Sequence, residues 1–272
     1  MNRLWLVLIV GGLAIGCGRS TEKKEVQQAG VLEVEEEIAE KEVVKTYDAA
    51  LEEYGYYEDQ IRRIAYKNDK TVIQAYLDSA LTAIEGSIIG DYTFVDVQDR
   101  VIKTTQLDKP LYLMTSASWC KPCISKIPAF NKAVEEYQDR VNFAVLFYDD
   151  SAKVQKMASD YNESIYLVPS WRKRQSGDMD INIGGFRHIT SYPTSYLINP
   201  EMTIMKLSQG GYSADTILTD DFKEIIVTPK QSFARNYQSI LSDIGVLLGE
   251  SIIVDVEEET QVHQKDYSSI KL

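Results

Sequence analysis

Cysteine is scarce in this chain: there are three, at positions 17, 120 and 123, among 272 residues. Three thiols cannot staple a disulfide scaffold, so the fold must rest on a hydrophobic core. Histidine is rarer still, with only His188 and His263. Zinc on the cysteine pair would need two further ligands, and two distant histidines, one in a polar acidic tail, do not provide them. No metal and no cofactor are therefore expected. Positive charge is also short, with 29 Lys and Arg against 41 Asp and Glu and a formal charge of −12. That excludes a general nucleic-acid binder, because phosphate recognition needs a basic face. The apolar run near the N-terminus, Leu4 to Gly16, is about a dozen residues, whereas a bilayer span needs about twenty.

What is present is enough apolar residue, 44%, to bury a core in one or two domains. Arg3, the apolar run and Cys17 together read as a secretory signal over residues 1–16. Leu13-Ala14-Ile15-Gly16 before Cys17 resembles a bacterial lipobox, with Ile15 bulkier than the usual occupant. That resemblance implies cleavage after Gly16 and a diacylglycerol anchor on Cys17, which would tether the protein at the cell envelope. There it would face the extracytoplasmic side, where disulfide chemistry is permitted.

Along the chain, residues 17–45 are polar and rich in Glu and Lys, as expected of a flexible tether. Over 46–88, Tyr47, Leu51 and Tyr54, then Ile73, Tyr76, Leu77, Leu81 and Ile84, recur at helical steps and predict a helical hairpin with a turn at Asn68-Asp69. From Gly90 the period changes to strand, and residues 92–97 and 101–104 predict a β-hairpin. An apolar strand follows over 111–115, then a helix after Cys120 with Ile124, Ile127, Phe130, Val134 and Tyr137 inward. Strands at 143–147 and 165–168 enclose a helix at 151–161. A long polar loop is expected over 170–185. Residues 195–198 and 203–207 read as paired strands around Asn199-Pro200-Glu201. A helix over 229–249, with Phe233, Tyr237, Ile240, Leu241 and Ile244 on one face, precedes an acidic tail that completes 229–272.

Ser118-Trp119-Cys120-Lys121-Pro122-Cys123 falls where a strand ends and a helix begins. In that setting Cys-x-x-Cys is a redox signature. Only a thiolate attacks a disulfide, and a helix N-terminus offers partial positive charge and free amides to stabilise one. Cys120 is expected to face solvent with a depressed pKa, and Cys123 to lie one turn deeper. Lys121 adds a cation of small, screened effect. No Thr-x-x-Cys element of a thiol peroxidase is present.

The chain here resembles the thioredoxin superfamily, in particular its extracytoplasmic TlpA/ResA-like branch. The resemblance rests on Trp119-Cys120-Lys121-Pro122-Cys123, on Pro128 five residues beyond, and on Tyr192-Pro193-Thr194 ahead of Tyr196-Leu197-Ile198-Asn199. It covers about residues 88–228. It implies an α/β, thioredoxin-like fold over 89–228, a central mixed sheet flanked by helices; the helical patterns outside that range add an N-terminal and a C-terminal helical extension. It further implies a cis proline at Pro193, a Tyr192 backbone that pairs with substrate, and a Trp119 that walls the site, with Lys121 and Pro122 alongside. The implied activity is disulfide exchange with extracytoplasmic proteins, run more as a reductase and recharged by an unidentified electron donor. Where relatives carry a proton-accepting acid, this chain has Met114 and Lys126, so no carboxylate partner for Cys123 is legible. The alternative reading is a non-catalytic thioredoxin-fold lipoprotein that binds a partner.

Overall fold

The computed structural model describes residues 44–67, 69–170, 181–188, 191–218 and 224–252. The expected signal segment, Cys17, nearly all of the tether, residues 171–180 of the expected polar loop and the tail with His263 lie outside these residues. Two helices open the described chain, α1 (Tyr47–Ile64) and α2 (Lys70–Ile84), followed by the hairpin β1 (Thr93–Val95) and β2 (Val101–Lys103). Then come β3 (Leu111–Ser116), α3 (Lys121–Tyr137), β4 (Asn142–Phe147), α4 (Ser151–Met157) and β5 (Tyr166–Val168). A second hairpin, β6 (Ile181–Ile183) and β7 (Phe186–His188), precedes β8 (Thr194–Ile198) and β9 (Ile204–Gln209). A third, β10 (Asp215–Leu218) and β11 (Glu224–Val227), leads into α5 (Pro229–Leu248). Among the described residues no helix is long and apolar enough to cross a membrane.

The main sheet runs β5-β4-β3-β8-β9, with β3, β4 and β5 parallel and β8 and β9 antiparallel to their neighbours. Strand β3 lies at its centre and is buried along its whole length. Its side chains alternate between two cores, as a pleated strand requires. Tyr112 and Met114 face Phe130, Val134, Ile240 and Ile244 of α3 and α5. Leu111 and Leu113 face the opposite way, toward Tyr47, Leu51 and Ile84 of the helical hairpin and Phe94, Ile183 and Phe186 of the small β-hairpins. A sheet with parallel central strands needs cover on both faces. The hairpin α1–α2 supplies that cover by sharing a core with the sheet.

Local chemistry explains where the elements start. Thr46 caps α1 and Asp69 caps α2, its carboxylate accepting from Thr71 N and Val72 N at 3.1 and 3.2 Å. Thr228 and Gln231 form a reciprocal cap at the head of α5, and Gly249, at φ 65°, closes its end. Three expectations change. The polar loop expected over 170–185 gives way at its end to β6, whose Ile181 and Ile183 are buried where they meet the aromatic core. Ile124, expected inward, is 45% exposed, and the buried face of α3 instead runs through Cys123, Lys126, Ile127, Phe130 and Val134. Phe233 likewise lies outward on α5, whose buried stripe is Ser232, Asn236, Ile240, Asp243, Ile244 and Leu247. In both helices a polar residue takes a core position, which shifts the apolar periodicity away from the true face.

Candidate active site

Strand β3 ends at Ser116, and the next four residues turn into α3, with Cys120 N donating to Ala117 O at 3.0 Å. Cys120 is the N-cap of α3: its backbone is extended and its Sγ accepts from Cys123 N at 3.2 Å. The two cysteines are joined as a disulfide. Pro122 stands in the first turn, where its missing N–H costs nothing. Pro128 lies inside α3 and withdraws an amide from the helical ladder.

Around this pair the residues singled out above come together. The Tyr192–Pro193 peptide is cis. Pro193 O accepts from Gly210 N at 2.8 Å, and Thr194 N donates to Thr115 Oγ1 at 3.0 Å, which locks the segment to β9 and β3. Tyr192 and Tyr148 pack against the cysteine pair. Trp119 meets both tyrosines edge-on at 5.8 Å, while remaining 52% exposed. In consequence Cys120 does not face solvent in this disulfide state as expected: it is 4% exposed, and Cys123 is fully buried. Lys121 is held at 2.5 Å by Asp215, so its charge is already answered at the surface. His188 is wholly buried, with Nδ1 2.8 Å from Tyr196 Oη and its ring 5.0 Å from that of Tyr192.

Three polar residues that sequence reasoning missed brace the site. Asp149, at the end of β4, is buried and accepts from Ser118 N at 2.6 Å and Ser118 Oγ at 2.7 Å, two residues before Cys120. A carboxylate following a buried strand carries no local signal of that role. Asn236 on α5 accepts from Tyr212 N at 2.9 Å and donates to Tyr212 O at 2.7 Å and to Ser125 O at 3.3 Å, tying α5 to α3. The neighbouring Gly211 runs so close that an added Cβ would lie 3.1 Å from Pro122 O. Asp243, also on α5, is buried and accepts from Tyr112 Oη at 2.9 Å, Lys206 Nζ at 3.1 Å and Ser208 Oγ at 2.7 Å. Asp243 and Asn236 interrupt the apolar stripe of α5, the one sequence signal that pointed to them.

Burial raises the Tyr112 hydroxyl well above its ordinary pKa, and Asp243 adds to the shift. Burial lowers Lys126, with Asp243 pulling partly the other way. Among the described residues no group of three His, Cys, Asp or Glu side chains is placed to hold a metal ion.

Residues 86–207 match the model of the AhpC/TSA family. A thioredoxin-like protein of Bacillus subtilis, YneN, is 26% identical over 103 residues, which are 38% of this chain. The match spans 57% of that relative's length. Among solved structures, a thio-disulfide isomerase from Thermus thermophilus is 16% identical, covering 60% of this chain and 95% of its own, with a TM-score of 0.39. The pneumococcal exposed lipoprotein thioredoxin Etrx1 from Streptococcus pneumoniae is 17% identical, covering 49% and 94%, with a TM-score of 0.35. The fold is thioredoxin-like: a mixed sheet flanked by helices, with the cysteine pair at the head of α3 and a cis proline leading into β8.

Proposed function

We propose that this thioredoxin-like chain is a thiol–disulfide oxidoreductase acting on protein substrates through Cys120 and Cys123. The observation that carries the reading is the placement of Cys120 Sγ as the capping acceptor of α3, bonded to Cys123 and beside the cis Tyr192–Pro193 peptide. Once the disulfide opens, the amide of Cys123 and the helix terminus favour negative charge on that sulfur. The Cys120 thiolate then attacks a substrate disulfide, forming a mixed disulfide and expelling one substrate thiolate. Cys123 attacks Cys120 Sγ, releases the second substrate sulfur and restores the internal disulfide, so two electrons pass to the substrate. A dithiol donor reverses the change at the Cys120–Cys123 bond.

In this reading Trp119, Lys121, Pro122, Tyr192 and Pro193 form the surface on which the substrate chain lies, its backbone alongside that of Tyr192. The working direction is reduction. The chain is held at the extracytoplasmic membrane surface by lipid on Cys17, which the Leu13-to-Gly16 sequence supports. The domain limits at 46–88, 89–228 and 229–272 belong to the same proposal.

Insulin reduction driven by dithiothreitol tests the activity. The full chain should accelerate it, and Cys120→Ser should return the rate to that of dithiothreitol alone. A Cys120→Ser chain as fast as the parent would sink the exchange reading and leave the fold as a partner-binding module.

A further inference from the structure

One turn along α3 from the disulfide, an ionisable side chain is left unused by the exchange steps above. Lys126 follows Cys123 by three residues on α3, and at 2% exposure it is as buried as the apolar residues around it. Residues so spaced share a helix face, with Cβ atoms about 5–6 Å apart. Lys126 therefore leaves α3 on the same buried side as Cys123. Its Nζ reaches β8 and stands 3.4 Å from Ser195 Oγ, two residues past the cis proline.

That contact is long for a nitrogen–oxygen hydrogen bond, and an ammonium group brings three donors. Among the described residues Lys126 makes no ion pair. Three other titratable side chains form the polar group nearby. Asp243 from α5 is occupied by Lys206 from β9, Ser208 and Tyr112 from β3. Lys206 is engaged with that carboxylate, and the Tyr112 hydroxyl stays protonated because burial raises it. A buried ammonium with one long hydrogen bond is costly, whereas a neutral amine with a free lone pair suits this setting. The downward shift of Lys126 by burial agrees.

We propose that Lys126, as a neutral amine, is the proton acceptor for Cys123 in the second half of disulfide exchange. The inference rests on the exchange reading of the cysteine pair. In the mixed disulfide, the Cys123 thiol gives its proton to Lys126 Nζ, leaving a thiolate and an ammonium. The thiolate forms the bond to Cys120 Sγ as the bond from Cys120 to the substrate sulfur breaks. The departing substrate thiolate carries the electron pair away and takes up a proton, and Lys126 returns to the amine by losing its own. Atoms, charge and the two electrons balance without a further reactant.

A single-turnover reaction with Ellman's disulfide separates the halves, using the reduced full chain with Cys17→Ser so that only the pair reports. The first thionitrobenzoate released marks attack by Cys120, and the second marks attack by Cys123. Lys126→Met should leave the first release unchanged and slow the second by about 10²-fold near neutral pH, the slowing shrinking as pH rises and hydroxide ionises Cys123. Lys126→Arg, a cation that cannot surrender its proton, should be slow as well. An unchanged first release shows that the variant site is intact. A wild-type second release in Lys126→Met, or in Lys126→Arg, overturns the proton role while the exchange reading stands. A parent chain that releases no first equivalent overturns both.

Discussion

The proposed exchange at Cys120 and Cys123 leans on two buried ionisable side chains, Asp149 and Lys126. Asp149 fixes Ser118 with two short hydrogen bonds just ahead of Cys120. Hydrogen bonds to a charged group contribute about 1.5–3 kcal/mol, and Asp149→Ala would leave the Ser118 amide unanswered. It should lower stability by about that amount in denaturant unfolding and slow insulin reduction. Lys126 works against stability instead. Its burial favours the uncharged form, so the unfolded chain holds the lysine proton more tightly than the folded one. The folded protein thus gains stability as pH climbs from the lowered folded value toward the ordinary 10.5. Lys126→Met should be more stable than the parent near neutral pH, by about 1–3 kcal/mol, and its advantage should narrow toward that upper limit. Urea melts of both chains across pH would check the sign.

Elements whose apolar residues follow one clean period were legible in advance, and those with a polar residue in the buried stripe were not. Strand β3 and the turn into α3 came directly from an apolar run followed by Trp119 and the cysteine pair, and α1 from Tyr47, Leu51 and Tyr54, all buried. The inward faces of α3 and α5 differ from the periodicity because Lys126, Asn236 and Asp243 occupy core positions that a polarity pattern assigns to solvent. Strand β6 carries no strand signal in the sequence because its three residues alternate around Asn182, too short a run, and only pairing with β7 makes it one. That hairpin is nonetheless central to the second core. Phe186 stacks on Tyr47 at 5.1 Å and meets Tyr196 at 5.2 Å and Tyr92 at 5.5 Å. Phe186→Ala should cost about 3–5 kcal/mol. Because this core lies on the face of the sheet away from α3, the rate at which the surviving folded protein reacts at Cys120 should hardly change.

At the level of the whole fold, a thioredoxin-like sheet is covered on one side by α3 and α5 and on the other by the hairpin α1–α2, and the cysteine pair sits at the head of α3. The proposed anchor adds a cellular prediction: Cys17→Ser should move the protein from the membrane fraction to the soluble one, because the apolar run alone is too short to span a bilayer. The central claim, that Cys120 attacks first and Cys123 resolves, is tested most directly by mass analysis of reduced protein mixed with excess insulin and quenched in acid. Cys123→Ser should accumulate one insulin molecule disulfide-bonded to Cys120, and Cys120→Ser should accumulate none. Equal capture by both variants, or capture by neither, would contradict the account.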